Sequence, residues 1–144
     1  MKNANFVKIK GRQPCPPFFA LPLAILQHPN FCNLSSHGAR LLCNLGSQIS
    51  IKSGRPYNNG DLCAAFSIMQ ERGFKSKETL NKAIKELLYY EFIILTKKGQ
   101  LKRPNLYGFT FYAINHCNGK LDVKETRKPS SAWNNVKKKW KNKK

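Results

Sequence analysis

Acidic residues are scarce in this chain. Seven Asp and Glu stand against 26 Lys and Arg, a formal net charge of +19 over 144 residues. So few carboxylates offer no evident catalytic pair. There is also no glycine-rich phosphate loop, no G-x-S-x-G and no H-E-x-x-H. No enzyme, cofactor or small-molecule ligand is therefore expected. Long apolar runs are missing as well. Phe18 to Leu26 is the longest candidate and Pro22 breaks it, whereas a bilayer span needs about 20 residues. The first residues carry Lys2, Lys8, Lys10 and Arg12 but no apolar signal core. A cytoplasmic chain with no membrane partner is expected. Paired cysteines are absent too. Cys15, Cys32, Cys43, Cys63 and Cys117 are odd in number, widely spaced and without a C-x-x-C, which argues against a disulfide framework. His28 with Cys32, and His116 with Cys117, fall short of the four ligands of a closed zinc site, so no metal is expected. Cys43 and Cys63 flank apolar helix positions and read as core.

What is present is positive charge and one modest core. At 41% hydrophobic residues the chain can bury a single domain. A charge of +19 repels itself and attracts polyanions, nucleic acid before an anionic membrane. Residues 1–17 read as an N-terminal arm. Phe6, Val7 and Ile9 could add a strand there, while Pro14, Pro16 and Pro17 prevent regular structure beside it. Residues 18–116 carry the periodic apolar signal. Residues 117–144 read as a basic, flexible tail with Trp133 and Trp140 as its large apolar groups.

Within the central segment, Leu21-Pro22 opens a first short helix that His28-Pro29 stops. A second helix begins at Ser35, and Leu42, Leu45 and Ile49 follow at helical spacing. Residues 52–57 are turn or short strand, and Asn58-Asn59-Gly60 is a turn whose asparagines turn chemistry explains. A third helix is predicted from Asp61 to Arg72, closed by Gly73. A fourth runs from about Lys77 to Glu91 behind the cap Ser76, with the stripe Leu80, Ala83, Ile84, Leu87 and Leu88. Phe92 to Thr96 and Leu106 to Ala113 then alternate as two strands of a hairpin. The expected fold is mainly α with a small β-hairpin: a winged helix-turn-helix with N-terminal arm and basic C-terminal tail.

That order makes the fourth helix a candidate recognition helix, about residues 76–91. Lys75, Ser76, Lys77, Thr79, Asn81, Lys82 and Lys85 are the residue types that reach phosphates and base edges in a major groove. Lys97, Lys98, Lys102 and Arg103 charge the wing, about residues 97–105, for a backbone or minor groove. Lys137, Lys138, Lys139 and Lys141 are candidate phosphate contacts of the tail. Blander readings stand beside these. Glu78, Lys82 and Glu86 at i, i+4 spacing also fit a salt-bridged surface. Lysines on a hairpin also protect a sheet edge, and a basic tail also serves solubility. A protein-interaction or RNA-binding module is the alternative function. One such unit contacts few base pairs, so a homodimer or a protein partner is left open.

Several stretches carry a resemblance: Phe19-Ala20-Leu21-Pro22, Leu26, Phe31, Leu34-Ser35, Asn58-Asn59-Gly60-Asp61-Leu62, Arg72-Gly73, Ser76-Lys77, Thr79-Leu80, Ala83-Ile84, Leu87 and Leu106-Tyr107. Over about residues 18–116, and at Trp133, the chain resembles small bacterial winged helix-turn-helix proteins of prophages, plasmids and integrative elements. It is similar to the winged-helix modules of plasmid replication initiators and GntR-type regulators. The resemblance implies a double-stranded DNA-binding protein, a transcriptional regulator or accessory factor of a mobile genetic element. It supplies no base-contacting residues.

Overall fold

The computed structural model describes residues 16–141. The strand proposed at Phe6, Val7 and Ile9, and Cys15, Lys143 and Lys144, lie outside them. Two one-turn helices open the chain, α1 (Leu23–Leu26) and α2 (Pro29–Cys32). Pro22 stands at the N-cap of α1, and Pro29 occupies the first turn of α2, where its missing N–H costs nothing. Helix α3 (Ser36–Gly46) starts where the Ser35 side chain accepts from the Gly38 N–H. A small hairpin follows, β1 (Ile51–Lys52) with β2 (Arg55–Pro56). Strand β3 (Leu62–Cys63), helix α4 (Phe66–Met69) and a 3-10 turn over Gln70–Arg72 come next. Gly73 ends this turn at φ +100°, a conformation that glycine adopts without a Cβ penalty. Helix α5 (Lys77–Tyr89), capped by Ser76, leads into β4 (Ile93–Lys97) and β5 (Leu106–Phe109).

Several expectations need correction, the fold class first. Among the described residues there are five α-helices and two sheets, of two and three strands, with 36% of the structure helical. The fold is mixed α/β, and the architecture of mainly α with a single β-hairpin is set aside. The cause lies at residues 61–72. Leu62 and Cys63 do not begin a helix but pair antiparallel with Tyr107 and Leu106, so β3 joins β5 and β4 in one sheet of order β3-β5-β4. The Gln48 side chain holds the other edge of β3, donating to the Cys63 carbonyl and accepting its N–H, both at 2.8 Å. Those ladder bonds satisfy backbone groups that a helix would otherwise have taken, and α4 is left with one turn.

The core sits where α3 and α5 meet the three-stranded sheet. Leu41, Leu42 and Leu45 face Leu80, Ala83 and Leu87, with Met69, Phe74, Phe92, Ile93, Tyr107 and Phe109 closing it. Each buried Leu, Ile, Met or Phe among them contributes about 1.5–3 kcal/mol by leaving water. Cys43, expected in the core, is exposed, and Cys63 is half-buried. Glu86, expected on a solvated face, is 4% exposed. Residues 117–141, expected to be a flexible tail, run back over the body. The Ser131 N–H donates to the Thr110 carbonyl, the Trp140 N–H donates to the Tyr90 hydroxyl, and Trp133 and Trp140 pack against the core.

Candidate nucleic-acid interface

Helix α5 is amphipathic by construction. Leu80, Ala83 and Leu87 are buried, and Lys77, Glu78, Asn81, Lys82 and Lys85 are exposed. At its start the Ser76 hydroxyl accepts from the Thr79 N–H at 3.1 Å and donates to the Thr79 hydroxyl at 2.8 Å. Ser76 and Thr79 are thus engaged in capping, with exposed Lys75 just ahead of them. The side of α5 that carries Lys77 and Asn81 faces a cleft of about 230 Å³ whose far wall includes Pro104 and Asn105 of the β4–β5 loop. Lys82 and Lys85 lie on the adjoining face, and Lys82 pairs with Glu78 at 3.4 Å.

The β4–β5 loop is internally bonded. Gln100 and Arg103 exchange backbone hydrogen bonds of 3.1 and 2.8 Å, and the Asn105 side chain accepts from the Gly99 N–H. At its base, Lys97, Lys98 and Arg103 line a second cleft, of about 270 Å³, together with Asp61 and Lys120. Two of these cations are neutralised, Lys97 by Asp122 at 3.3 Å and Lys120 by Asp61 at 2.7 Å. The Lys98 N–H and the Lys97 ammonium, both bonded to Asp122, hold its carboxyl below the usual aspartate range. Among the described residues, the Lys98, Lys102 and Arg103 side chains have no acidic partner.

The tail lysines divide. Lys137 is committed to the body: it pairs with Glu91 at 3.2 Å, stands 5.3 Å from the Tyr89 ring centre, and its N–H donates to Asn30. Lys138, Lys139 and Lys141 are exposed beyond the C-terminal end of α5, where the Tyr89 hydroxyl donates to the Lys138 carbonyl at 2.7 Å. The fold therefore joins Lys77 and Asn81 to the basic loop, and leaves the tail lysines at the other end of the helix.

Asn30 and Lys120 escaped the sequence reading, which puts Glu86 on a solvated face. Nothing local marks Asn30 or Lys120, whose partners are distant in the chain. Glu86 stood about 60° from Ala83 on a helical wheel, at the border of the apolar stripe, and that arithmetic could have found it. No helix of the described residues is long and apolar enough to cross a membrane. No group of three or more metal-ligating side chains occurs among the described residues. Comparison with protein-family models, curated proteins and solved structures finds no match.

Proposed function

We propose that the chain binds double-stranded DNA, with residues 77–85 of α5 in the major groove and the β4–β5 loop on the backbone or in the adjacent minor groove. The observation that supports this most is the cleft with Lys77 and Asn81 of α5 on one wall and, on the other, Pro104 and Asn105 of the loop that also carries Lys98, Lys102 and Arg103. A helix about 10–12 Å across fits a major groove about 12 Å wide. Lysine gives phosphate attraction and asparagine gives a two-point match to an adenine edge. The net charge of +19 supplies the sequence-independent part of the affinity. Regulation, or an accessory role on a mobile genetic element, is the setting that the resemblance implies.

The test is a competition. A labelled duplex is titrated with the full chain at physiological salt, with a structured RNA stem and anionic vesicles as competitors. Duplex binding that both competitors displace only weakly is expected. Failure to bind duplex, with capture of the RNA or the vesicles, overturns the reading. Footprinting on DNA flanking the chain's own gene would then locate a preferred sequence.

A further inference from the structure

Leu101 is 92% exposed, the most exposed of the large hydrophobic residues among those described. Lone exposed leucines are common and need no explanation in themselves. What marks Leu101 is its mounting. It occupies the second position of the four-residue turn that Gln100 and Arg103 close with two backbone hydrogen bonds. Lys102, in the third position, has φ +67°. Glycine ordinarily fills that position because its backbone is left-handed. A lysine there retains a charge next to Leu101 at the cost of local strain. Below the turn, the Gly99 N–H bonds the Asn105 side chain and Pro104 stiffens the return to β5. The other strongly exposed aliphatics, Leu23 and Val136, lie outside this loop. Leu101 alone sits within one or two residues of two cations on a closed turn.

A rigid apolar tip between phosphate-seeking cations matches the device by which side chains wedge into a base-pair step. The cations hold the backbone on either side, and the aliphatic group takes the place of stacking surface that opens as the step kinks. Resting on the DNA-binding reading, we infer that Leu101 is a wedge that enters the minor groove of duplex DNA and unstacks one step. The kink turns the duplex toward its major groove at that step. Flexible pyrimidine–purine steps are the preferred targets, because they unstack at least cost. This gives the chain a means of selecting sequence at a position that it reads by deformability.

The experiment measures bending separately from binding. Short duplexes carry a donor and an acceptor at their ends and a 2-aminopurine beside a central TA step. The full chain should raise both energy transfer and 2-aminopurine fluorescence. Leu101→Ala should lose both signals while still binding. Leu101→Lys, with one more charge, should bind any duplex at least as tightly as the parent and yet fail to bend it. Leu101→Met should keep the bend. Leu101 lies outside the core, and an unchanged circular dichroism spectrum establishes that each variant folds. If Leu101→Ala binds and bends as the parent does, or if the parent binds without bending, the wedge is refuted and the DNA-binding reading survives. If the parent binds no duplex, that reading itself fails and the wedge falls with it.

Discussion

The Glu86 carboxylate on α5 accepts two hydrogen bonds from Ser35, the N-cap residue of α3: from its N–H at 2.9 Å and from its hydroxyl at 2.7 Å. The same Ser35 oxygen accepts from the Gly38 N–H, so one serine joins the cap of α3 to the buried face of α5. The approach is close. A Cβ on Gly38 would stand 2.2 Å from the Glu86 carboxylate oxygen. The acidic residue nearest the core of this very basic chain thus serves as a helix-to-helix bolt, and a carboxylate beside the first turn of α3 also meets the positive end of its dipole.

Glu86→Ala should lower stability by about 1.5–3 kcal/mol, the range for losing hydrogen bonds to a charged group. Gly38→Ala should have a similar effect by driving the carboxylate off Ser35. The double variant should be much less than additive, because both act on one contact. Urea denaturation of the three proteins checks this, and additive losses would show that Gly38 and Glu86 act separately.

On the DNA-binding reading, Lys77→Ala and Lys82→Ala should each weaken duplex binding, by about 1–3 kcal/mol where the side chain reads a base edge. Glu78→Gln gives the opposite sign. It releases Lys82 from its 3.4 Å ion pair and removes a negative charge from the proposed contact face. The pair is exposed and holds little energy in water, and Glu78 in the first turn of α5 adds about 0.3–1 kcal/mol against the helix dipole, so stability should fall only slightly while the affinity rises. Fluorescence anisotropy at fixed salt measures all three. Unchanged affinity in both lysine variants would remove α5 from the interface.

Much of the local chemistry was legible in the sequence. Ser35 and Ser76 cap as their residue type requires, and Gly73 takes the left-handed conformation that ends the 3-10 turn. What escaped depends on distant partners. Leu62 and Cys63 become a strand because Leu106 and Tyr107 offer them a ladder, and helical spacing from Leu62 to Phe66 and Met69 carries no trace of that competitor. The basic residues of the candidate interface could be named from composition and spacing. The Lys82–Glu78 pair could be named too, from its i, i+4 spacing, whereas the pairing of Lys97 with Asp122 and of Lys137 with Glu91 could not, because it needs the tail to fold back. That return is anchored by backbone carbonyls, which look the same in every sequence.

Cys117 should react more slowly than the exposed thiols Cys32 and Cys43. Burial pushes its pKa up, Asp61 adds to the effect and Lys120 partly opposes it. The thiol also donates to the Asn59 carbonyl. A raised pKa means less thiolate at any pH below it, and the thiolate is the reactive form. Near pH 8, Cys32 and Cys43, both exposed, should be alkylated well before Cys117. Mass spectrometry of iodoacetamide-treated protein reads the order. Raising the pH should speed Cys117 over a range above that of an ordinary thiol. Asp61→Asn should bring that range down.

The last expectation separates the tail's two roles. Asn30 is fully buried, and its amide donates to the Trp133 and Asn135 carbonyls, both at 2.8 Å, while its oxygen accepts the Lys137 N–H at 3.0 Å. One side chain thus holds three backbone groups of the returning segment and keeps Trp133 and Trp140 against the core. Asn30→Ala should cost about 1–3 kcal/mol, through groups left unpaired as the segment loosens. The lysines beyond that clamp are a different matter. Lys138, Lys139 and Lys141 are exposed, so changing all three to Gln should leave melting nearly untouched. If each neutralises one phosphate, the salt slope of duplex binding should become shallower by about 0.9 per lysine, with the preference between sequences preserved. Lys137→Gln should differ from them, lowering stability slightly through Glu91 and shifting the slope little. A triple variant with the parent's slope would show that the segment packs on the body without touching DNA. A triple variant that melts early would show that these lysines belong to the fold.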